Sequence, residues 1–86
     1  MLSFLRRMFG SYEFIIELSE GKARAVKGKV LNRMLRDFAA CAQDLRISRG
    51  TIYGERGPGH IRLAFSKDIP PSAHQRFRNL WSQYAQ

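Results

Sequence analysis

The chain has 86 residues, with 15 Lys and Arg against 7 Asp and Glu, so its formal net charge is +8. This length predicts one domain with one small core. Hydrophobic residues make up 44% of the chain and charged residues 26%, which excludes a disordered chain. The single cysteine, Cys41, excludes a disulfide scaffold and favours a reducing compartment.

The first ten residues form a short apolar stretch interrupted by arginines. They are fewer than the ~18 residues of a membrane span, and the charges do not precede the apolar run as in a signal peptide. We expect a cytoplasmic protein with no transmembrane span. Two interpretations stay open: an amphipathic segment that touches an anionic membrane or a partner, or a turn that docks on the domain. The candidate contacts are Leu2, Phe4, Leu5, Arg6, Arg7, Met8 and Phe9.

Residues 12–27 predict a β-hairpin, with strands over 12–18 and 22–27 and a turn between them. The core face of the first strand would carry Tyr12, Phe14, Ile16 and Leu18. A helical period follows from Val30. Its apolar positions are Leu31, Met34, Leu35, Phe38, Cys41, Ala42 and Leu45. We interpret Cys41 as a core residue, because no partner that could activate its thiol lies nearby in sequence.

The second half repeats this order. Residues 46–55 predict a strand of weaker alternation with a bulge near 48–50, residues 56–59 a turn, and residues 60–66 a return strand. A second helix would begin with Asp68 as its N-cap. Its apolar stripe would be Ala73, Phe77, Leu80, Trp81 and Tyr84.

These elements predict the α+β class: a single two-layer domain of ββαββα order, in which two helices cover one face of a four-stranded antiparallel sheet. The N-terminal segment would span residues 1–10 and the domain residues 11–86. Because the halves match, a duplicated ββα unit over 12–44 and 45–86 is a further hypothesis.

The sequence predicts no catalytic site, metal site or cofactor. Glu13 and Glu17 would lie about 13 Å apart on one strand face, too far to act as an acid–base pair on one bond. His60 and His74 have neither the number nor the spacing of zinc ligands. The glycine-rich stretch 54–59 joins two strands, whereas a phosphate loop leads into a helix. We therefore expect a protein that is not an enzyme.

Positive charge is the remaining signal, and the sequence pI of about 10.6 is in the range of nucleic-acid-binding domains. The candidate contacts to an anion or a nucleic acid lie on the helices: Arg33, Arg36, Arg76, Arg78 and Asn79. The basic residues are spread over every element without a dense run, so a generally basic surface stays an alternative. Convergence of the four arginines on one face would favour nucleic acid.

The stretch Ile61–Pro70, with its Phe-Ser-Lys and Ile-Pro steps, and the following Gln75-Arg76-Phe77-Arg78-Asn79 resemble the C-terminal signature of a family of short bacterial proteins of unknown function. The resemblance covers about residues 12–81. It implies one ββαββα domain behind a membrane-anchoring segment, no assigned activity and no catalytic residue. This chain differs from the family in its N-terminus, where ten residues replace a long apolar segment.

Together these observations predict a small, basic, non-catalytic binding or interaction module. Its expected partner is a protein or an anionic surface, including the inner face of a membrane. The alternative is a small nucleic-acid-binding domain that uses the helix arginines. A homodimer through an edge strand, 22–27 or 60–66, is a further hypothesis.

Overall fold

The computed structural model describes residues 12–85. The elements are β1 (Tyr12–Ser19), β2 (Lys22–Lys27), α1 (Asn32–Asp44), β3 (Arg49–Gly57), β4 (His60–Phe65) and α2 (Pro71–Tyr84). The strands form one antiparallel sheet of order β2-β1-β3-β4, and both helices cover the same face. The predicted fold class and element order are confirmed. The predicted N-terminal segment, residues 1–10, lies outside the described residues.

The two halves have the same internal arrangement. In each half the first strand lies at the centre of the sheet, the second strand lies at an edge, and the helix packs on that edge strand. The halves meet through the β1–β3 ladder and through contacts between the helices. This arrangement is compatible with a duplicated unit, and the duplication itself stays a prediction.

The core lies between the sheet and the helix pair. Phe38 of α1 and Phe77 of α2 are both 0% exposed, and their ring centroids are 5.5 Å apart in an edge-to-face pair. Ile16 and Ile52 from the two central strands are also fully buried in the same cluster. The predicted apolar faces of both helices therefore meet in one core. Because this contact removes large aromatic area from water, it is a main source of the stability of the fold.

Strand β3 pairs with β1 in regular register from Arg49 to Gly54, so the bulge predicted near residues 48–50 is wrong. The weak alternation has another cause. The core-facing positions of β3 include Gly50 and Gly54, and side chains from elsewhere occupy the space above them. A Cβ on Gly50 would meet Ile69, and a Cβ on Gly54 would meet the ring of Phe14.

The irregularities lie instead in the first hairpin. Against β3 the register shifts between Tyr12 and Phe14, which removes Tyr12 from the predicted core face. Its ring lies 4.7 Å from that of Tyr53. Ile15, expected on the outer face of the sheet, is there but only 2% exposed, and it lies outside the core cluster. The outer face thus has a small apolar patch around Ile15 and the two tyrosines.

Both helices begin later than the sequence predicts. Helix α1 begins after Leu31, whose side chain is 64% exposed, so the prediction that Leu31 belongs to the core face is wrong. Helix α2 begins after Pro70, and Asp68 is not its N-cap. Proline restricts the residue before it to extended backbone, which is why the helix cannot begin at Asp68. Ile69, between them, is buried in the core.

Helix α1 ends in a turn of the Schellman type. The N–H of Arg46 donates to the carbonyl of Gln43, and the N–H of Ile47 donates to the carbonyl of Ala42 over 2.8 Å. Arg46 has a φ of 58°, the left-handed conformation that glycine usually adopts at this position. This turn reverses the chain and places Ile47 in the core before β3 begins.

Candidate binding groove

A groove of about 570 Å³ lies between helix α1 and the edge strand β2. Two of its lining residues, Ala23 and Leu35, are half-buried and form its base. Lys22 and Arg36 are exposed and lie at its rim. The full lining is Gly21, Lys22, Ala23, Asn32, Leu35, Arg36, Ala39, Ala40 and Gln43, which contains no carboxylate. The groove is therefore apolar at its base and positively charged at its rim.

Gln43 fixes one end of this groove. Its Nε2 donates a 2.7 Å hydrogen bond to the carbonyl of Gly21, in the turn between β1 and β2. Glu20 and Gly21 both have positive φ, which is the geometry of a two-residue type I′ hairpin turn. The contact ties the last part of α1 to the hairpin, so that α1 and β2 are held at a fixed separation.

The backbone of β2 offers unpaired hydrogen-bonding groups on this side. Residues Ser19 and Lys22 flank the two-residue turn, so they form a hydrogen-bonded pair with β1, and the pairing alternates from there. The N–H and C=O groups of Ala23 and Ala25 consequently point away from β1, toward the open edge. Within residues 12–85, no side chain hydrogen-bonds to these groups.

The opposite edge of the sheet is different. On β4 the outward carbonyl of Ile61 accepts a 3.1 Å hydrogen bond from the indole Nε1 of Trp81. His74 of α2 stacks on the ring of Phe65 at the end of that strand, with 4.0 Å between ring centroids. Natural proteins commonly protect edge strands in this way. Among residues 12–85, a helix side chain donates to the outward backbone of β4 at Ile61, whereas none donates to Ala23 or Ala25 of β2.

The arginines predicted as an anion site do not converge. Arg36 lies in the groove, whereas the guanidinium of Arg33 lies 5.6 Å from the ring centroid of Tyr84, at the contact between the helices. Arg76 donates to the Oδ2 of Asp44 over 2.9 Å. Whether any of these residues contacts a ligand stays a prediction.

The remaining two predicted residues lie on other parts of α2. Arg78 is positioned over Phe65 at 5.4 Å, beside β4. Asn79 accepts a hydrogen bond from the side chain of Gln75 over 2.9 Å. The predicted contacts between Leu2 and Phe9 lie outside the part of the chain that the structure describes, and their role stays a prediction.

The carboxylates are mostly engaged with cations or hydroxyls. Five form ion pairs with arginine, and the hydroxyl of Tyr84 donates to a sixth, Asp37. The ion pairs are Glu13–Arg56, Glu17–Arg24, Asp44–Arg76, Glu55–Arg62 and Asp68–Arg49. Among the described carboxylates only Glu20 has no such contact. Glu20 directly precedes Gly21 and Lys22 at one end of the groove, but it is not part of the groove lining.

The histidines and the cysteine each have a local structural contact. His60 donates from Nδ1 to the carbonyl of Pro58, and His74 donates from Nε2 to the carbonyl of Ile69. Cys41 is buried, and this burial raises the pKa of its thiol. Over residues 12–85 no group of three or more potential ligands could hold a metal ion.

A family model described as a protein of unknown function, DUF3634, matches residues 5–85. The chain belongs to the DUF3634 family. No curated protein and no solved structure matches it significantly. The predicted resemblance to a family of small proteins of unknown function is thereby confirmed. None of the helices described in this DUF3634 protein is long and apolar enough to cross a membrane.

Sequence reasoning missed the groove of the DUF3634 chain because its two rim cations are far apart along the chain. Lys22 lies in the first hairpin and Arg36 on the following helix, and only the packing of α1 on β2 brings them to one site. One signal was present: alanines line the groove from both elements, Ala23 on the strand and Ala39 and Ala40 on the helix. Small side chains on both sides contribute to the open space between the strand and the helix.

Proposed function

We propose that this domain is a small non-catalytic binding module that holds an anionic partner, foremost a segment of another protein, against the basic groove between α1 and β2. The observation that carries the proposal is the distribution of charge. Most carboxylates are engaged elsewhere, while the groove has two cations at its rim and no carboxylate in its lining. Charge complementarity of this kind selects partners and accelerates their association.

The proposal that the module is non-catalytic has separate support. A general base needs a positioned proton acceptor near a reacting group, usually a histidine oriented by a carboxylate. Here His60 and His74 are oriented by backbone carbonyls, and His74 is stacked on Phe65. The raised pKa of the buried Cys41 keeps its thiol protonated, which opposes a nucleophilic role.

The resemblance described above adds a cellular setting to the proposal. We expect the module in the bacterial cytoplasm, with residues 1–10 as a candidate contact to the inner membrane face. The membrane is thus a second anionic surface that the protein would meet, and the test below includes it. The nucleic-acid alternative rests on total charge, since Arg36, Arg76 and Arg78 lie at different places on the surface.

A salt titration of binding tests the proposal. The full chain is titrated against a fluorescent acidic peptide, single- and double-stranded oligonucleotides and vesicles of anionic phospholipid. We expect peptide binding that weakens as salt rises and that weakens further in Arg36→Glu. The matched control Lys67→Glu makes the same change in net charge outside the groove and should have a smaller effect. Absence of binding to every anionic probe would overturn the proposal.

The same titration identifies the alternative. Tighter binding to an oligonucleotide than to the peptide, lost in the double variant Arg76→Ala/Arg78→Ala and kept in Arg36→Glu, would establish nucleic acid as the partner. Binding to vesicles that disappears when residues 1–10 are deleted would assign membrane contact to that segment. Either result would contradict the proposal that a segment of another protein is the main partner.

A further inference from the structure

We infer that the partner of the groove is an extended acidic peptide segment that adds to β2 as a fifth strand of the sheet. This inference rests on the proposed function and specifies the binding mode and the partner chemistry. Strand addition to an open sheet edge is a recurrent mode of peptide recognition, in which backbone hydrogen bonds provide affinity and flanking pockets provide specificity.

The first argument is the backbone of β2. Ala23 and Ala25 direct both their N–H and their C=O groups toward the open edge, at the spacing that an added strand requires. On β4 the outward carbonyl of Ile61 is occupied by the indole of Trp81, and His74 of the same helix stacks on Phe65. Within residues 12–85, α1 makes no hydrogen bond of this kind to the outward groups of Ala23 and Ala25 on β2, which lie beside the groove.

The second argument is the space beside that edge. Alternate side chains of an added strand point to the two faces of the sheet. On the helix side they would enter the groove above Leu35 and Ala39, next to Arg36. On the outer side they would pass Lys22, which also lies at the rim of the groove, and Arg24, which already pairs with Glu17. An added segment with acidic residues among small apolar ones matches both sides.

The third argument separates a foreign segment from a second copy of this chain. Pairing of β2 with its own copy would bring Lys22 and Arg24 against the same residues, and like charges across neighbouring strands are destabilising. The net charge of +8 on each chain adds to the repulsion. Lysine and arginine on an edge strand prevent self-association in natural sheets, and here they also select for acidic partners.

Amide hydrogen exchange followed by NMR, on the full chain, tests the inference. The probe is a peptide of about ten residues that alternates glutamate and valine, a length that spans one strand. We expect it to slow exchange at the amides of Ala23 and Ala25. A peptide of the same sequence with N-methylated central amides keeps its charge and cannot form the ladder. We expect it to bind at least about tenfold more weakly.

Three variants locate the interaction. Lys22→Glu/Arg36→Glu should weaken peptide binding about tenfold or more, while Arg46→Glu/Lys67→Glu, with the same change of charge, should weaken it less. Ala23→Pro removes one outward N–H and should abolish the protection at Ala25. Proline is tolerated on edge strands, and a melting curve shows that this variant is folded. If it is not folded, the charge variants and the N-methylated peptide give the result.

The outcomes separate the inference from the proposed function. Equal binding of the two peptides, with no protection at Ala23 and Ala25, would overturn strand addition and leave an anion-binding module. Protection that rises with protein concentration in the absence of peptide would show a second copy at the edge and would also overturn it. Failure of the peptides, the oligonucleotides and the anionic vesicles to bind would refute the proposed function itself.

Discussion

Replacement of Gly54 by alanine is the sharpest test of the packing described above. A Cβ at this position would lie 2.5 Å from Cδ2 and 2.6 Å from Cζ of Phe14. Phe14 is buried and its ring lies 5.2 Å from that of Trp81, so it cannot swing into solvent. Overpacking of this kind costs about 1–3 kcal/mol. A domain of this size has roughly 4–13 kcal/mol in total, so the loss would be large.

Thermal and urea unfolding of Gly54→Ala measure this cost. Each kcal/mol lowers the Tm of a domain this size by roughly 4–8 °C, so a cost of about 2 kcal/mol predicts a fall of roughly 8–16 °C. Trp81 is the only tryptophan, and its fluorescence reports directly on the affected contact. The matched control is Gly57→Ala on the same strand, where the nearest atom would be 3.5 Å from the new Cβ.

The control should change stability by no more than about 0.5 kcal/mol. In a Phe14→Leu background, the Gly54→Ala substitution should cost at least about 1 kcal/mol less than in the wild type, because the two sites share the contact. Equal Tm values for the two glycine variants would refute the reasoning. It would mean that Phe14 does not occupy the space over Gly54.

Two further predictions concern the core. Phe38→Ala and Phe77→Ala should each cost about 3–5 kcal/mol in urea unfolding, and a loss below about 1 kcal/mol at either site would contradict the helix faces described. The thiol of Cys41 should react with a disulfide reagent much more slowly in the native protein than in denaturant, whereas equal rates would show that it is accessible. Burial raises the pKa of the Cys41 thiol, so the folded state favours the protonated form. The free energy of unfolding should therefore fall as pH rises above the thiol pKa of the unfolded chain, about 8.5. In Cys41→Ala this fall should be less steep.

Much of the fold follows from periodicity in the sequence. The helical faces that meet at Phe38 and Phe77 were visible as apolar residues three and four apart, and β4 was visible as alternation. Strand β3 was harder, because its core positions at Gly50 and Gly54 have no side chain to mark them. The volume that fills those positions comes from distant residues, which a local pattern does not reveal.

The candidate groove was much less predictable than the fold. Positive charge was evident in the composition, and yet the sequence favoured helix arginines that the structure distributes over separate contacts, such as Arg76 with Asp44. The groove depends on which strand lies at an edge and on which edge a helix covers. The sequence of residues 22–27 by itself shows neither that this strand lies at an edge nor that its edge lacks a helix side chain. Of the predicted contacts within residues 12–85, only Arg36 lies in the groove.

The link between the two halves, residues 45–48, has a consequence for how copies of this chain could assemble. The halves join across the β1–β3 ladder, which is independent of the link, so two chains that exchanged their second halves would rebuild both ladders and both cores. The reversal at Arg46 would be the main feature lost. The left-handed backbone at Arg46 costs about 1–2 kcal/mol for an L-residue. A chain whose link were straightened would no longer have this cost. The length and conformation of this link, rather than the sheet, would therefore decide whether such an exchange between two chains can occur.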